Sequence, residues 1–218
     1  MAQLLIHSSE LAAAAKQWAL HDVLIAMPAT EAELARQALA LAERRLGQLP
    51  AHAARVLLLG VIDDDQRGLV AMHNLIFKAT QSTWYGYLAQ DAFAGRAWLE
   101  IALAQLERTQ AHLLGFNDGK WQGQIAAFGL ARRDWAQAIY SGDFFYPGYR
   151  SHFADAELTL IAREQKAYTY DPHAVMVEVD PHKDAKAVDA SDRSMYLTRL
   201  KTGFASRVHD PQLLQLIR

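Results

Sequence analysis

RVLLLGVIDDD, residues Arg55–Asp65, is the stretch on which the fold turns. From Arg55 to Ile62 the run is almost wholly apolar. It is too short for a buried helix and lacks the alternation of a strand with one wet face. It therefore reads as a strand buried on both faces, the kind that parallel sheets contain, and it ends abruptly on Asp63-Asp64-Asp65. Upstream, Val23-Leu24-Ile25-Ala26-Met27-Pro28 is a second such run, stopped by a proline, and downstream Trp84-Tyr85-Gly86-Tyr87-Leu88-Ala89 is a third that ends on Gln90-Asp91.

Helical patterns fill the intervals. One opens with Thr30 and Glu33 in capping-box spacing, runs to about Leu46 and is closed by Gly47 and Pro50. A second spans Gly68 to about Gln81, and Ala97–Arg108 carries Trp98, Ile101 and Leu106 on one stripe. Strands alternating with helices predict an α/β three-layer sandwich around a mostly parallel central sheet. Ligands of such sheets gather beyond the carboxyl ends of the strands, where Asp63, Asp64 and Asp91 fall.

The flanking segments are more varied. Leu11–Leu20 is an alanine-rich helix that starts near Ser8-Ser9-Glu10. Leu113–Lys120 is a strand running into an Asn-Asp-Gly turn, and Ala126–Arg132 is another strand. Ser141–His152, dense in Gly, Pro, Tyr and Phe, is a shaped loop; Asp155–Gln165 is a helix and Ala174–Val179 a strand. A charged loop from Asp180 to Ser191 then leads to a helical stretch. No internal repeat or linker splits the chain, so one domain is expected over residues 1–218.

Composition narrows the function. The 218 residues are 51% hydrophobic and carry a net charge of −2, with no global field that would draw nucleic acid or acidic lipid. From Arg193 onward the balance is basic: Arg193, Arg199, Lys201, Arg207 and Arg218 face one acid, Asp210. A solvated helix face is the expected reading of that tail. The absence of cysteine excludes disulfides and thiolate metal sites and fits a reducing cytoplasm, the expected location. No apolar run reaches the ~18 residues of a spanning helix. HExxH, Gly-x-Ser-x-Gly and the phosphate-binding Gly-x-x-x-x-Gly-Lys-Ser/Thr loop are all absent, which weighs against zinc-protease, hydrolase and ATPase readings.

The order of these features resembles family-2-type glycosyltransferases with the GT-A fold, including small phage and prophage versions, over roughly Asp22 to Asp189. The family's first strand ends at a proline, as Val23–Pro28 does. Its second ends in an acidic pair, here Asp63-Asp64, whose acid meets the nucleotide base or ribose. An asparagine on the next helix is matched by Met72-His73-Asn74. The family's Asp-x-Asp metal motif is matched in part by Ala89-Gln90-Asp91, which keeps only the second carboxylate. Its later Glu-Asp-x-Asp-Leu motif is approximated by Ala154-Asp155-Ala156-Glu157-Leu158, placing Asp155 on the aspartate that serves as base in inverting members.

The resemblance implies a nucleotide-binding half over about residues 22–110, an acceptor half over about 111–190 and a C-terminal helical extension over about 191–218. Asp63, Asp64, Asn74, Gln90, Asp91 and Lys183 would meet the donor nucleotide, and Asp91 with His182 would hold a weakly bound Mn²⁺ or Mg²⁺. Asn117, Asp118, Trp121 and Glu157 would line the donor-sugar and acceptor site, with Phe144, Phe145, Tyr146 and Tyr149 as candidate stacking surfaces. Asp155 would deprotonate an acceptor hydroxyl in an inverting transfer from a nucleoside-diphosphate sugar, UDP-linked by analogy. Each acid also has a plainer reading, as a turn former or helix cap. The alternatives are a degenerate relative that binds a nucleotide sugar without turnover, suggested by Ala89 and Ala154, and a sugar nucleotidyltransferase. The sequence leaves the acceptor open; a glycan, a small molecule and a modified DNA base are the candidates, the last with the basic tail on phosphate.

Overall fold

The three runs on which the reading rests are strands of one sheet. The computed structural model describes residues 2–179 and 188–217. Its strands are β1 (Ala2–His7), β2 (His21–Ala29), β3 (Val56–Ile62), β4 (Ser82–Tyr87), β5 (Ala92–Ala94), β6 (Leu113–Asn117), β7 (Gly129–Arg132) and β8 (Tyr168–Glu178). They lie in the order β1-β3-β2-β4-β7-β6-β8-β5. The β1, β3, β2 and β4 strands are mutually parallel; β7 is antiparallel to both β4 and β6, so β6 and its parallel partner β8 run the same way as β4. The carboxyl ends of β1, β2, β3, β4 and β6 therefore share one rim.

The helices are α1 (Leu11–Ala15), α2 (Ala32–Arg44), α3 (Leu69–Ala79), α4 (Trp98–Thr109), α5 (Arg133–Ile139), α6 (Ala154–Glu164), α7 (Ala190–Lys201) and α8 (Gly203–Ser206). They cover the two faces in the way the period-2 alternation of β2 dictates. Leu24 and Ala26 pack with α3, α6 and Tyr196 of α7, whereas Val23, Ile25 and Met27 pack with α2 and α4. Each such fully buried aliphatic side chain contributes roughly 1.5–3 kcal/mol relative to exposure.

Several details differ from the sequence reading, among them an unexpected α5 and a β8 that begins at Tyr168 rather than Ala174. First, β1 is an added edge strand: Leu4-Leu5-Ile6 offers too few apolar residues to stand out, yet it pairs with β3 from Ala2↔Leu57 to His7↔Ile62. Second, the first helix stops at Ala15 rather than Leu20. Third, β5 is only three residues long and pairs with the far end of β8. Fourth, Thr30 does not cap α2; the Gln90 side chain reaches across from the end of β4 instead. The tail is also more than a solvated face, since Tyr196, Phe204 and Val208 are buried in the core.

Candidate functional site at the carboxyl rim

The chain leaves the rim in a series of turns, and Asp63, Asp64, Gln90, Asp91 and Asp118 sit in them, whereas Asn74, Asp155 and Glu157 lie on helices and Asn117 ends β6. β3 and β4 are separated by β2, so Asp63 and Asp64 stand about 10 Å from the start of the Gln90-Asp91 turn at ordinary strand spacing. Asp63 folds its own loop: its two carboxylate oxygens accept from the backbone N–H groups of Arg67 (3.0 Å) and Gly68 (2.9 Å). Gly68 has φ +89°, and a Cβ there would meet Arg150 at 2.9 Å. Glycine is needed at that approach, because the Val70 N–H donates to the Arg150 carbonyl and ties this loop to Ser141–His152.

Asp64 is bonded to His7 and to Ser8-Ser9, which the sequence reading gave to the start of the first helix. One oxygen accepts from His7 Nδ1 at 2.6 Å; the other accepts from the Ser8 hydroxyl, the Ser9 hydroxyl and the Ser9 N–H. These bonds, the histidine's foremost, hold the Asp64 carboxyl well below the usual carboxylate range and raise the His7 imidazole above its ordinary value. Gln90 has a comparable task. Its Oε1 accepts from the Thr30 N–H (2.7 Å) and the Glu31 N–H (2.9 Å), pinning the β2–α2 turn to the end of β4. Asp91 follows, half-buried, and its carbonyl accepts from the Val179 N–H.

Several of the expected contact residues are engaged within the protein. Asn74 is buried, with its amide oxygen accepting from the Phe144 and Phe145 N–H groups and its nitrogen donating to the Phe145 carbonyl. Phe144, Phe145 and Tyr149 are themselves core residues, so the stacking role expected for them is not open; Tyr146 lies under the Arg199 guanidinium, 3.4 Å from its ring centre. Asn117 and Asp118 knit the turn after β6. Asn117 donates to the Pro172 carbonyl and accepts from Gly119, while Asp118 accepts from the Lys120 and Trp121 N–H groups. Trp121 packs half-buried against the core beneath the Lys120 ammonium.

Glu157 departs most from expectation. It has no exposed surface, so it does not line a sugar site; the hydroxyls of Tyr140 and Tyr149 each donate to it at 2.8 Å. Arg199 of α7 forks onto it at 2.7 and 2.6 Å, which takes that arginine out of the solvated face expected of the tail. Asp192, also on α7 and also missed, is buried and accepts from three successive backbone N–H groups, Arg150, Ser151 and His152, each at 2.8 Å. The C-terminal helix thus grips the loop that leads into α6.

Asp155 stands at the end of that grip. It is half-buried in the first turn of α6, and its charge adds to the burial that raises the phenols of Tyr87, the last residue of β4, and Tyr196 of α7. Phe153, immediately before the helix, has φ +66°, a left-handed conformation that costs a non-glycine residue about 1–2 kcal/mol. Its ring stacks on Tyr196 at 4.8 Å.

No group of three or more His, Asp or Glu suited to a metal is present among the described residues. Asp91 alone therefore fits only a cation that brings most of its ligands with it, such as one carried on a diphosphate. His182 and Lys183, expected at the cation and the phosphates, lie outside the described residues.

No protein-family model matches the sequence, and no curated protein matches it. Its architecture is the GT-A fold of glycosyltransferases. TarS of S. aureus (residues 1–349) matches with a TM-score of 0.59 at 10% identity, covering 89% of this chain and 70% of that one. The mannosyltransferase PcManGT from Pyrobaculum calidifontis, in complex with GDP-Man and Mn²⁺, matches at 0.53 and 13% identity over 96% and 80%. Glucosyl-3-phosphoglycerate synthase from Mycobacterium tuberculosis, in complex with Mg²⁺ and UDP, matches at 0.54 and 11% identity over 94% and 85%. At such identities the likeness is one of fold, and no helix among the described residues is long and apolar enough to cross a membrane.

Proposed function

We propose that this chain is a glycosyltransferase that moves a sugar from a nucleoside-diphosphate sugar to an acceptor hydroxyl, with Asp155 as the base. The observation that carries the reading is the position of Asp155, half-exposed at the head of α6 on a GT-A scaffold, in a helix whose entry loop is bonded to the buried Asp192 and whose first turn is tied to α7 through the buried Glu157. In the reaction the acceptor hydroxyl gives its proton to the Asp155 carboxylate while its oxygen attacks the anomeric carbon. The bond from that carbon to the β-phosphate oxygen breaks, and the nucleoside diphosphate leaves with the bonding pair. Attack opposite the leaving group inverts the anomeric centre.

The donor's base or ribose falls to Asp63, whose two oxygens each accept a single backbone N–H and so keep lone pairs to offer. Asp64, filled by four donors from the β1 turn, props the rim. Asp91 would supply one carboxylate to a donor-carried divalent cation, whose charge would neutralise the departing diphosphate. UDP is the favoured nucleotide: UDP or UDP-GlcNAc occupies TarS complexes and UDP the M. tuberculosis synthase, although PcManGT holds GDP-Man.

A second reading, a relative that binds a nucleotide sugar without turnover, is favoured by Ala89 and Ala154 where the family motifs carry acids. A thermal-shift screen of nucleotide sugars with and without Mn²⁺, followed by a donor-hydrolysis assay, separates the two. Stabilisation by one donor together with its slow hydrolysis supports transfer. Stabilisation with no hydrolysis under any metal supports the second reading, and no stabilisation by any donor contradicts both.

A further inference from the structure

Away from the rim, on the face covered by α2 and α4, two adjoining hollows of about 530 and 520 Å³ share Leu41 and Arg44 as lining. Their chemistries differ. The first is walled by Ala40, Leu41 and Phe93 and is mainly apolar; the second is walled by Arg44, Arg45 and Arg96 and by the chain at Gly47 and Ala97. Glu43 is the one acid in either lining, and it belongs to the apolar hollow.

The three guanidinium groups have no joint structural reason to meet. Arg44 and Arg45 close α2, where positive charge also complements the carbonyl end of the helix. Arg96 comes from a separate element, the link between β5 and α4, and converges on the same hollow. Arg45 donates to the Ala94 carbonyl at 2.8 Å and is thereby fixed in place. Neither Arg44 nor Arg96 has an ion-pair partner among the described residues. The α4 helix starts here too, with Ala97 in the N-cap position and no side-chain cap. Glu100 on its first turn accepts from the Gln48 N–H instead of pairing with the arginines.

We propose that this groove binds an anionic lipid, with its phosphate on Arg44, Arg45 and Arg96 and its chain along Leu41, Ala40 and Phe93. Forked guanidinium donors match phosphate oxygens in geometry and charge, while the apolar neighbour gives a bound chain cover from water that a free phosphate could not use. This site is independent of the transfer reaction and needs no donor to be known.

The test is calorimetric titration of the protein with dihexanoyl phosphatidic acid below its micelle concentration. Dihexanoyl phosphatidylcholine and inorganic phosphate serve as comparison ligands. The phosphatidic acid is expected to bind one to one, with both comparison ligands at least about tenfold weaker. Arg44→Gln with Arg96→Gln, both on exposed residues, should weaken it by at least about tenfold while leaving the melting temperature in place. Leu41→Asn should weaken the lipid and leave inorganic phosphate unchanged. Absence of binding, equal affinity for inorganic phosphate, or an affinity untouched by the arginine substitutions would each overturn the proposal.

Discussion

The two sides of the carboxyl rim are held by opposite means. On the β3 side, Asp64 is gripped by His7, Ser8 and Ser9 in an exposed cluster, with the His7 side chain 60% accessible. On the α6 side, Glu157 and Asp192 are buried and receive seven hydrogen bonds between them, from Tyr140, Tyr149 and Arg199 and from three backbone N–H groups. Exposed pairs are screened by water and salt and hold weakly. Buried pairs are costly to make and more costly to break singly, so they fix one arrangement. The α6 side of the rim is thus fixed in one arrangement, and the β3 side is held by bonds open to solvent.

Breaking the buried side should have the largest effect. Glu157→Gln leaves Arg199 with no counter-charge and an amide N–H in place of one acceptor oxygen, and Arg199→Met strands Glu157. Each is expected to cost about 3–5 kcal/mol, a fall of roughly 10 °C in melting temperature for a chain of this length. The double change Glu157→Leu with Arg199→Met should recover part of the loss, since no unpaired charge remains. If the single and double changes melt alike, the pair is not the lock described.

Asp192→Asn comes next. It removes the charge from three hydrogen bonds and should cost about 2–3 kcal/mol. Amide exchange at Arg150, Ser151 and His152 should accelerate ahead of the β3 and β4 amides; uniform acceleration through the sheet would mean that the loop has no separate anchor.

The smallest change is expected on the exposed side. Asp64→Asn should leave the melting temperature nearly unchanged but bring the His7 titration, followed by NMR, down toward the ordinary 6.5. The sign is fixed by both partners. His7 is raised, so its contribution is present below 6.5 and disappears as pH climbs through its folded value. Asp64 is depressed, so its contribution is present above the ordinary 3.8 and disappears as pH drops through its folded value. The pair is intact between those limits, and a His7 midpoint indifferent to Asp64→Asn would show that the two do not interact in solution.

The same contrast explains what was legible beforehand. β2, β3 and β4 could be read because strands buried on both faces are continuous apolar runs, and the acids after β3 and β4 could be read directly behind them. β1 and β5 could not, one being an edge strand with three consecutive apolar residues and the other three residues long. Nor could the partners of the acids. Asp64 is bonded across 55 to 57 residues and Glu157 to Arg199 across 42, and neither separation leaves a periodic trace. Glu157 lies in the first turn of a helix, where an acid is ordinary, so only its burial reveals that a cation had to be found for it. The aromatic loop misled for the related reason that density of rings does not say which way they face.

Asp155→Asn measures the account most directly, by donor affinity from calorimetry and by release of nucleoside diphosphate in the presence of acceptor. Loss of a positioned base should lower turnover by about 10²–10⁴ while affinity stays within about twofold. Turnover equal to that of the unaltered chain, with affinity retained, would contradict it and leave the α6 carboxylate as scaffold only.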